Sequence, residues 1–136
     1  MPYEELFHTA DWCLRVWADD LPSLFVEAAR GMNALMQARP AAGPGTRRTL
    51  HLSAPDPEAL LVAFLSELVF AAEQEGLIFT DFQVKLSENS EEWQLNVHMD
   101  GAPLLSATKI IKAVTYHNLR IRPTARGYEV EIVFDV

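Results

Sequence analysis

Three polar segments of the sequence carry side chains that could do chemistry. His8-Thr9-Ala10-Asp11 stands directly before an apolar strand pattern, the segment from Lys109 to His117 combines amino, hydroxyl and imidazole groups, and Asp135-Val136 follows the last apolar strand. We expect this last strand to hold the Asp135 side chain beside a terminal carboxylate. Two such anionic groups repel each other unless a cation or a basic side chain lies between them. Oxygen ligands of this kind favour a hard cation, calcium or magnesium, over zinc.

Each segment also has an interpretation that needs no ligand. Asp11 fits an Asx-turn in a loop, and a solvated edge strand would resemble the segment from Lys109 to His117. The sequence has no EF-hand loop, so a cation site would have to be assembled from residues distant in the chain. It also has no glycine-rich phosphate loop, no histidine pair at metalloprotease spacing and no nucleophile-elbow serine. Cys13 lies inside a strand pattern, where we expect a packed side chain and not a nucleophile.

The composition indicates one globular domain over residues 1–136. The 136 residues are 49% hydrophobic and 22% charged, which is typical of a folded domain. The 11 basic and 19 acidic residues give a formal net charge of −8, which disfavours strong direct binding to nucleic acid. A single cysteine excludes an internal disulfide. The first residues lack a secretory signal and no apolar run approaches the ~20 residues of a membrane span, so we expect a cytoplasmic protein without membrane contact.

The hydrophobic pattern predicts an α+β fold, with two main helices packed on a mixed, largely antiparallel β-sheet. Apolar residues recur at helical spacing over 21–37 and in a second helix that begins at Asp56-Pro57-Glu58 and ends at Gly76. We expect the second, more apolar helix to form the centre of the core. Strands are predicted over residues 12–18, 47–53, 77–86, 93–99, 104–107, 112–122 and 128–134. Asp100-Gly101 is predicted to form a hairpin turn between two of these strands.

These motifs, in this order, resemble those of the archease family. The resemblance runs from His8-Thr9-Ala10-Asp11 through the helix over 60–70 to Lys112-Ala113-Val114-Thr115-Tyr116-His117 and the terminal Phe134-Asp135-Val136. It implies an α+β fold with helices packed on a mixed sheet. It also implies a non-catalytic protein cofactor of the GTP-dependent RNA ligase that joins 2′,3′-cyclic-phosphate or 3′-phosphate ends to 5′-hydroxyl ends. Such a cofactor promotes guanylylation and multiple turnovers of the ligase in tRNA splicing and RNA repair.

The resemblance also assigns roles to individual residues. It implies a divalent-cation site, usually for calcium, at Asp11, Asp135 and Val136. It implies that Lys112 is the lysine required for activation of the ligase. Calcium takes about six to eight oxygen ligands, so waters or a further acid, for which Glu67 is the candidate, would complete the shell.

Two other functions remain open from the residues themselves. One is a metal-dependent phosphoester hydrolase, in which Asp11 and Asp135 hold magnesium while Lys112 or His117 assists. The sequence offers no clear general base or nucleophile for it. The other is a chaperone-like adaptor for RNA-modification enzymes.

Overall fold

The computed structural model of the chain describes residues 2–6 and 12–136, which form two α-helices, a π-helical turn and nine strands. In chain order these elements are β1 (Tyr3–Leu6), β2 (Trp12–Ala18), α1 (Leu21–Met36), β3 (Arg39–Pro40), β4 (Thr46–Ala54), α2 (Pro57–Phe70), the π-helical turn (Ala71–Glu75), β5 (Leu77–Glu88), β6 (Trp93–Ser106), β7 (Ala113–Val114), β8 (Arg122–Thr124) and β9 (Gly127–Asp135). No helix in the described part of the chain is long and apolar enough to cross a membrane.

Both helices begin at an aspartate cap followed by a proline, as the sequence predicts. The Asp20 carboxylate accepts a hydrogen bond from the Ser23 amide at 2.8 Å, and the Asp56 carboxylate accepts one from the Ala59 amide at 2.7 Å. These bonds satisfy amides that have no partner within the first turn. The second helix continues through the π-helical turn to Gly76, whose φ of 64° is the left-handed conformation that ends helices.

The described strands form two antiparallel sheets. In the first sheet β2 lies between β1 and β9, and both β7 and β8 pair with the other edge of β9. In the second sheet β6 lies between β4 and β5, and β3 pairs with the end of β6. Both helices contact strands of both sheets. The predicted α+β class with two main helices is confirmed, whereas the single sheet expected from the sequence is divided into two.

The predicted hairpin turn at Asp100-Gly101 is wrong, because β6 runs without interruption from Trp93 to Ser106. Asp100 pairs with Arg47 on β4, and its carboxylate accepts a hydrogen bond from that guanidinium at 2.9 Å. A Cβ atom at Gly101 would lie 2.2 Å from the carbonyl oxygen of Ile78 on β5. The glycine therefore allows the backbones of two paired strands to approach each other, and it forms no turn.

The predicted strand over residues 112–122 is also wrong, since only its two ends pair with β9. Ala113 lies opposite Asp135, after which the chain leaves the sheet and turns. In this turn the Leu119 amide donates to the Tyr116 carbonyl at 3.1 Å, and Asn118 has a left-handed φ of 52°. Asparagine tolerates this conformation better than most residues, which permits the turn.

The second helix is central to the core, as its composition predicts. Its buried residues form one broad face, while Ser66, Glu67 and Phe70 on the opposite side are exposed. The buried residues are Leu60, Leu61, Val62, Phe64, Leu65, Leu68 and Val69. The Phe64 ring stacks on Phe25 of α1 at 6.0 Å between centroids and meets the Phe82 ring of β5 edge-on at 5.9 Å. These rings therefore connect both helices to the second sheet.

Cys13 is packed within the first sheet, as expected. It lies between Leu6 on β1 and Val133 on β9, and only 5% of its surface is exposed. Burial raises the pKa of its thiol, and the nearby charge of Glu131 adds to that shift.

Candidate functional site

The end of β9 is where two of the three polar segments meet. The backbone amide of Lys112 donates to the carbonyl oxygen of Asp135 at 2.8 Å, and Ala113 pairs with the same residue. On the other side of β9, the first residue of β2, Trp12, pairs with Phe134. Asp11 and the preceding His8-Thr9-Ala10 lie outside the described residues.

The two last residues of the chain differ in exposure. The Asp135 side chain is exposed, whereas Val136 is half-buried and packs against the hydrophobic core. The expectation that this strand end is held is thereby confirmed. Within residues 2–6 and 12–136, no group of three histidine, cysteine, aspartate or glutamate side chains could hold a metal ion. The predicted cation site includes Asp11, so its assembly stays a prediction.

Lys112 lies beside a small cavity between β7 and the second helix. The cavity has a volume of about 220 Å³. Its lining consists of Ser66, Val69, Phe70, Glu73, Gln74, Lys112, Ala113 and Val114. The Phe70 ring is 56% exposed and the Lys112 side chain is also exposed, so an apolar ring and an ammonium group face solvent at the same cavity. This combination suits a partner that offers both an apolar side chain and an anionic group.

His117 follows Lys112 in the sequence but lies beyond the point where the chain leaves the sheet. The backbone amide and hydroxyl of Thr115 both donate to the Val133 carbonyl at 3.0 Å, and the His117 amide donates to the Thr115 hydroxyl at 3.3 Å. The His117 ring is exposed, and its Nε2 atom lies 3.3 Å from the side-chain Nδ2 atom of Asn118. Its assignment to the site stays a prediction.

Glu67 lies near a different cation. Arg48 on β4 makes two hydrogen bonds to Glu75, at 2.7 and 2.9 Å. The bond to Glu75 raises the pKa of Arg48, and the negative charge of Glu67 contributes to the same shift. Glu67 therefore interacts electrostatically with an arginine, and its place in a cation shell stays a prediction.

Comparison with known proteins identifies the family. Residues 3–136 match the model of the Archease protein family (MTH1598/TM1083). This chain belongs to the archease family.

Its archease relatives match it along nearly their whole length. A protein archease from Methanopyrus kandleri is 34% identical over 140 residues, covering 100% of both chains. One from Methanosarcina barkeri is also 34% identical and covers 98% of this chain and 95% of the relative. The resemblance inferred from the sequence motifs is thereby confirmed.

Solved structures show the same fold. The solution structure of Methanobacterium thermoautotrophicum protein 1598 aligns with a TM-score of 0.77 over 99% of both chains, at 23% identity. The crystal structure of a Thermotoga maritima archease, described as a possible chaperone, aligns with a TM-score of 0.65 over 98% of this chain and 96% of the other, at 15% identity.

Two features near the archease motifs were not predicted from the sequence. The Lys109 ammonium lies 4.5 Å from the centre of the Trp12 ring, a cation–π contact between the polar segment and the start of β2. Phe70 lies beside Lys112 in the cavity described above. Helical spacing alone does not distinguish Phe70 from the buried residues of the second helix, so the sequence does not predict that Phe70 is exposed.

Proposed function

We propose that this archease is a non-catalytic protein cofactor of the GTP-dependent RNA ligase that joins 2′,3′-cyclic-phosphate or 3′-phosphate ends to 5′-hydroxyl ends. It would promote guanylylation of the ligase and allow it multiple turnovers, in tRNA splicing and RNA repair. The supporting observation is the arrangement at the end of β9, where Lys112 binds Asp135 through its backbone and β2 begins beside Phe134. In a member of the archease family, this arrangement brings segments distant in the sequence to one strand end.

A divalent cation, calcium or a similar hard ion, fits the donors available at this strand end. The Asp135 carboxylate is exposed, and Val136 is held against the core. We assign Asp11, Asp135 and the main-chain oxygen of Val136 as its ligands. When bound, the cation would screen the repulsion between the carboxylates. Asp135 would then keep its backbone bond to Lys112 while its side chain faces the cation.

Lys112 would act on the ligase and not on the cation. Its backbone is bonded to Asp135 while its ammonium group is exposed. An exposed ammonium can pair with an anionic group of the ligase or with phosphates of a nucleotide bound to it. The exposed Phe70 ring in the same cavity would contact an apolar side chain of the ligase.

Reconstitution with the RNA ligase of the same host tests this function. Labelled GTP reports guanylylation of the ligase, and the number of joined RNA ends per ligase reports turnover. We expect both to rise when the archease is added with calcium. Unchanged guanylylation and turnover would contradict the proposal.

A parallel incubation of the archease alone with generic phosphoesters and magnesium tests the hydrolase alternative. Sustained turnover there would favour the enzyme. The cofactor proposal predicts no turnover of phosphoesters, because it assigns no residue of the archease to attack a phosphoester.

A further inference from the structure

A second cavity, separate from the one at Lys112, lies where the turn over residues 115–121 meets the first sheet. It is open to solvent, and its volume is about 480 Å³. Its lining consists of Tyr116, Asn118, Leu119, Arg120, Arg122 and Glu131. None of these residues lines the cavity at Lys112. The function proposed above makes no use of it.

The two arginines of this cavity, Arg120 and Arg122, have hydrogen-bond donors that are available to a ligand. Within the described residues, Arg120 has no ion-pair partner, and Arg122 makes one long contact of 3.4 Å to Glu129. Glu129 also accepts a much shorter bond from Arg126. A guanidinium group has five donor hydrogens in a planar fork that fits phosphate oxygens. Both arginines can therefore bind an anion without breaking a strong ion pair.

The one acidic side chain of the lining, Glu131, is paired with an arginine that it shares with Glu4. Arg15 donates to it at 3.0 Å and to Glu4 at 2.9 Å.

The charges around the cavity balance, in contrast to the acidic excess of the whole molecule. The arginines of the lining and its ion pairs are Arg15, Arg120, Arg122 and Arg126; the glutamates are Glu4, Glu129, Glu131 and Glu58, whose carboxylate accepts from the Ile121 amide. Four arginines against four glutamates leave no net charge, on a protein whose formal net charge is −8. A small anion therefore meets no local excess of negative charge here, while the acidic remainder disfavours a long polyanion.

The cavity also offers an aromatic surface and a polar amide. The Tyr116 side chain is 62% exposed, and an exposed aromatic ring can stack on a nucleobase. Asn118 can both donate and accept hydrogen bonds at a base edge. The volume of about 480 Å³ lies in the range of small-molecule sites, about 300–1,000 Å³, and a lone phosphate would leave most of it empty.

The turn that carries these side chains is fixed at three points. Thr115 is bonded to the Val133 carbonyl, and the Leu119 amide to the Tyr116 carbonyl. The Ile121 amide donates to the Glu58 carboxylate in the first turn of α2 at 3.0 Å. A ligand would therefore meet donors already in position, which reduces the entropy lost on binding.

We propose that this cavity binds one mononucleotide unit, with the phosphate on Arg120 and Arg122 and the base against Tyr116. The unit is either a free nucleotide or the terminal nucleotide of an RNA strand. The proposal does not depend on the ligase, because binding is measured on the isolated protein.

Titration of the protein with AMP and GMP, followed by amide chemical shifts and calorimetry, tests the proposal. Each arginine would make a charge-assisted hydrogen bond to the phosphate, so we expect Arg120→Gln and Arg122→Gln each to weaken binding about tenfold or more. Tyr116→Ala should weaken nucleotide binding but not the binding of inorganic phosphate. Glu131→Gln should tighten binding, because it removes a negative charge from the lining. The matched control is Arg47→Gln, an exposed arginine paired with Asp100 on the second sheet, which should leave affinity unchanged.

Comparison of ligands distinguishes the base contact from the phosphate contact, and a free nucleotide from the end of an RNA strand. A short RNA that binds more tightly than AMP through the same residues assigns the site to a strand end, and equal affinities assign it to a free nucleotide. Equal affinities for AMP and inorganic phosphate would overturn the contact between base and Tyr116, and the proposal with it. The absence of saturable binding, or an equal loss in Arg47→Gln, would also overturn it.

Discussion

Lys112 has a backbone role and a side-chain role that a substitution can separate. Its amide bond to Asp135 does not depend on the side chain, whereas its exposed ammonium would contact the ligase. We therefore expect Lys112→Ala to keep the thermal midpoint and to abolish guanylylation of the ligase. Lys85→Ala, which removes an exposed lysine from β5, is the control and should leave activation intact. Full activation by Lys112→Ala would remove this residue from the proposed site.

The proposed cation site predicts a luminescent signal from the start of β2. Terbium shares the oxygen preference of calcium, and excitation of Trp12, which directly follows Asp11, should sensitise it. We expect calcium to compete the signal away and Asp11→Asn to abolish it, whereas Trp93→Phe should retain it. A signal that persists in Asp11→Asn would show that terbium binds elsewhere.

At the residue scale, the sequence singles out individual polar residues but does not predict which residues lie beside them. The resemblance to the archease motifs singles out Lys112 and Asp135, and the structure places their backbones in contact. Arg120 and Arg122 do not stand out, since isolated arginines in a polar turn are common. Their shared cavity with Tyr116 arises from the turn at Asn118 and from the pairing of β8 with β9, which one-dimensional patterns do not contain.

At the level of elements, Gly101 keeps β6 continuous. A methyl group there would meet the Ile78 carbonyl at 2.2 Å, and this neighbour is backbone that cannot move aside without disturbing β5. We expect Gly101→Ala to lower the free energy of unfolding by about 1–3 kcal/mol. Urea unfolding measures the change, and hydrogen exchange should show faster opening of β5. An unchanged urea midpoint would show that the strands can separate at no cost.

The cap of the first helix gives this protein a pH-dependent stability. The hydrogen bond from the Ser23 amide lowers the pKa of Asp20, so the unfolded chain binds a proton there at a higher pH than the folded chain does. The stabilisation is therefore present above the unfolded pKa, ~3.9, and is lost as the pH falls through the lower folded pKa.

Asp20→Asn keeps a capping acceptor that does not titrate. We expect the wild type to lose stability relative to Asp20→Asn as urea unfolding is repeated at lower pH. Asp20→Ala should cost about 1 kcal/mol at neutral pH. Asp19→Asn, one position before the cap, is the control. Parallel pH profiles for wild type and Asp20→Asn would contradict this account.

The elements themselves were largely predictable, whereas their ends and partners were not. Both helices follow from aspartate caps, prolines and apolar spacing, which act locally. Asp100-Gly101 has the residues of a hairpin turn, but pairing with strands on both sides outweighs that local preference. The segment 112–122 has an apolar pattern typical of a strand, yet β9 offers it pairing only at its two ends.

At the scale of the molecule, two phenylalanines of the same helix should separate stability from function. Phe64 is fully buried between Phe25 and Phe82, whereas Phe70 is 56% exposed. We expect Phe64→Ala to lower the free energy of unfolding by about 3–5 kcal/mol. Phe70→Ala should change it by less than about 0.5 kcal/mol and should weaken activation of the ligase. Denaturant unfolding and the guanylylation assay measure the two effects, and a large loss of stability in Phe70→Ala would place that ring in the core.

Because Cys13 is buried and is the only cysteine of the chain, the rate at which its thiol is labelled reports opening of the first sheet. A thiol reagent reacts with the thiolate. The raised pKa lowers the fraction of Cys13 that is thiolate, and burial of the side chain blocks access of the reagent. Labelling then requires an opening motion that uncovers the Cys13 side chain on its face of the first sheet. If closing is faster than labelling, the observed rate divided by the rate for an unstructured thiol equals the fraction of molecules that are open. Measured with and without calcium, that fraction would express in one number how much an ion at the end of β9 holds the sheet together.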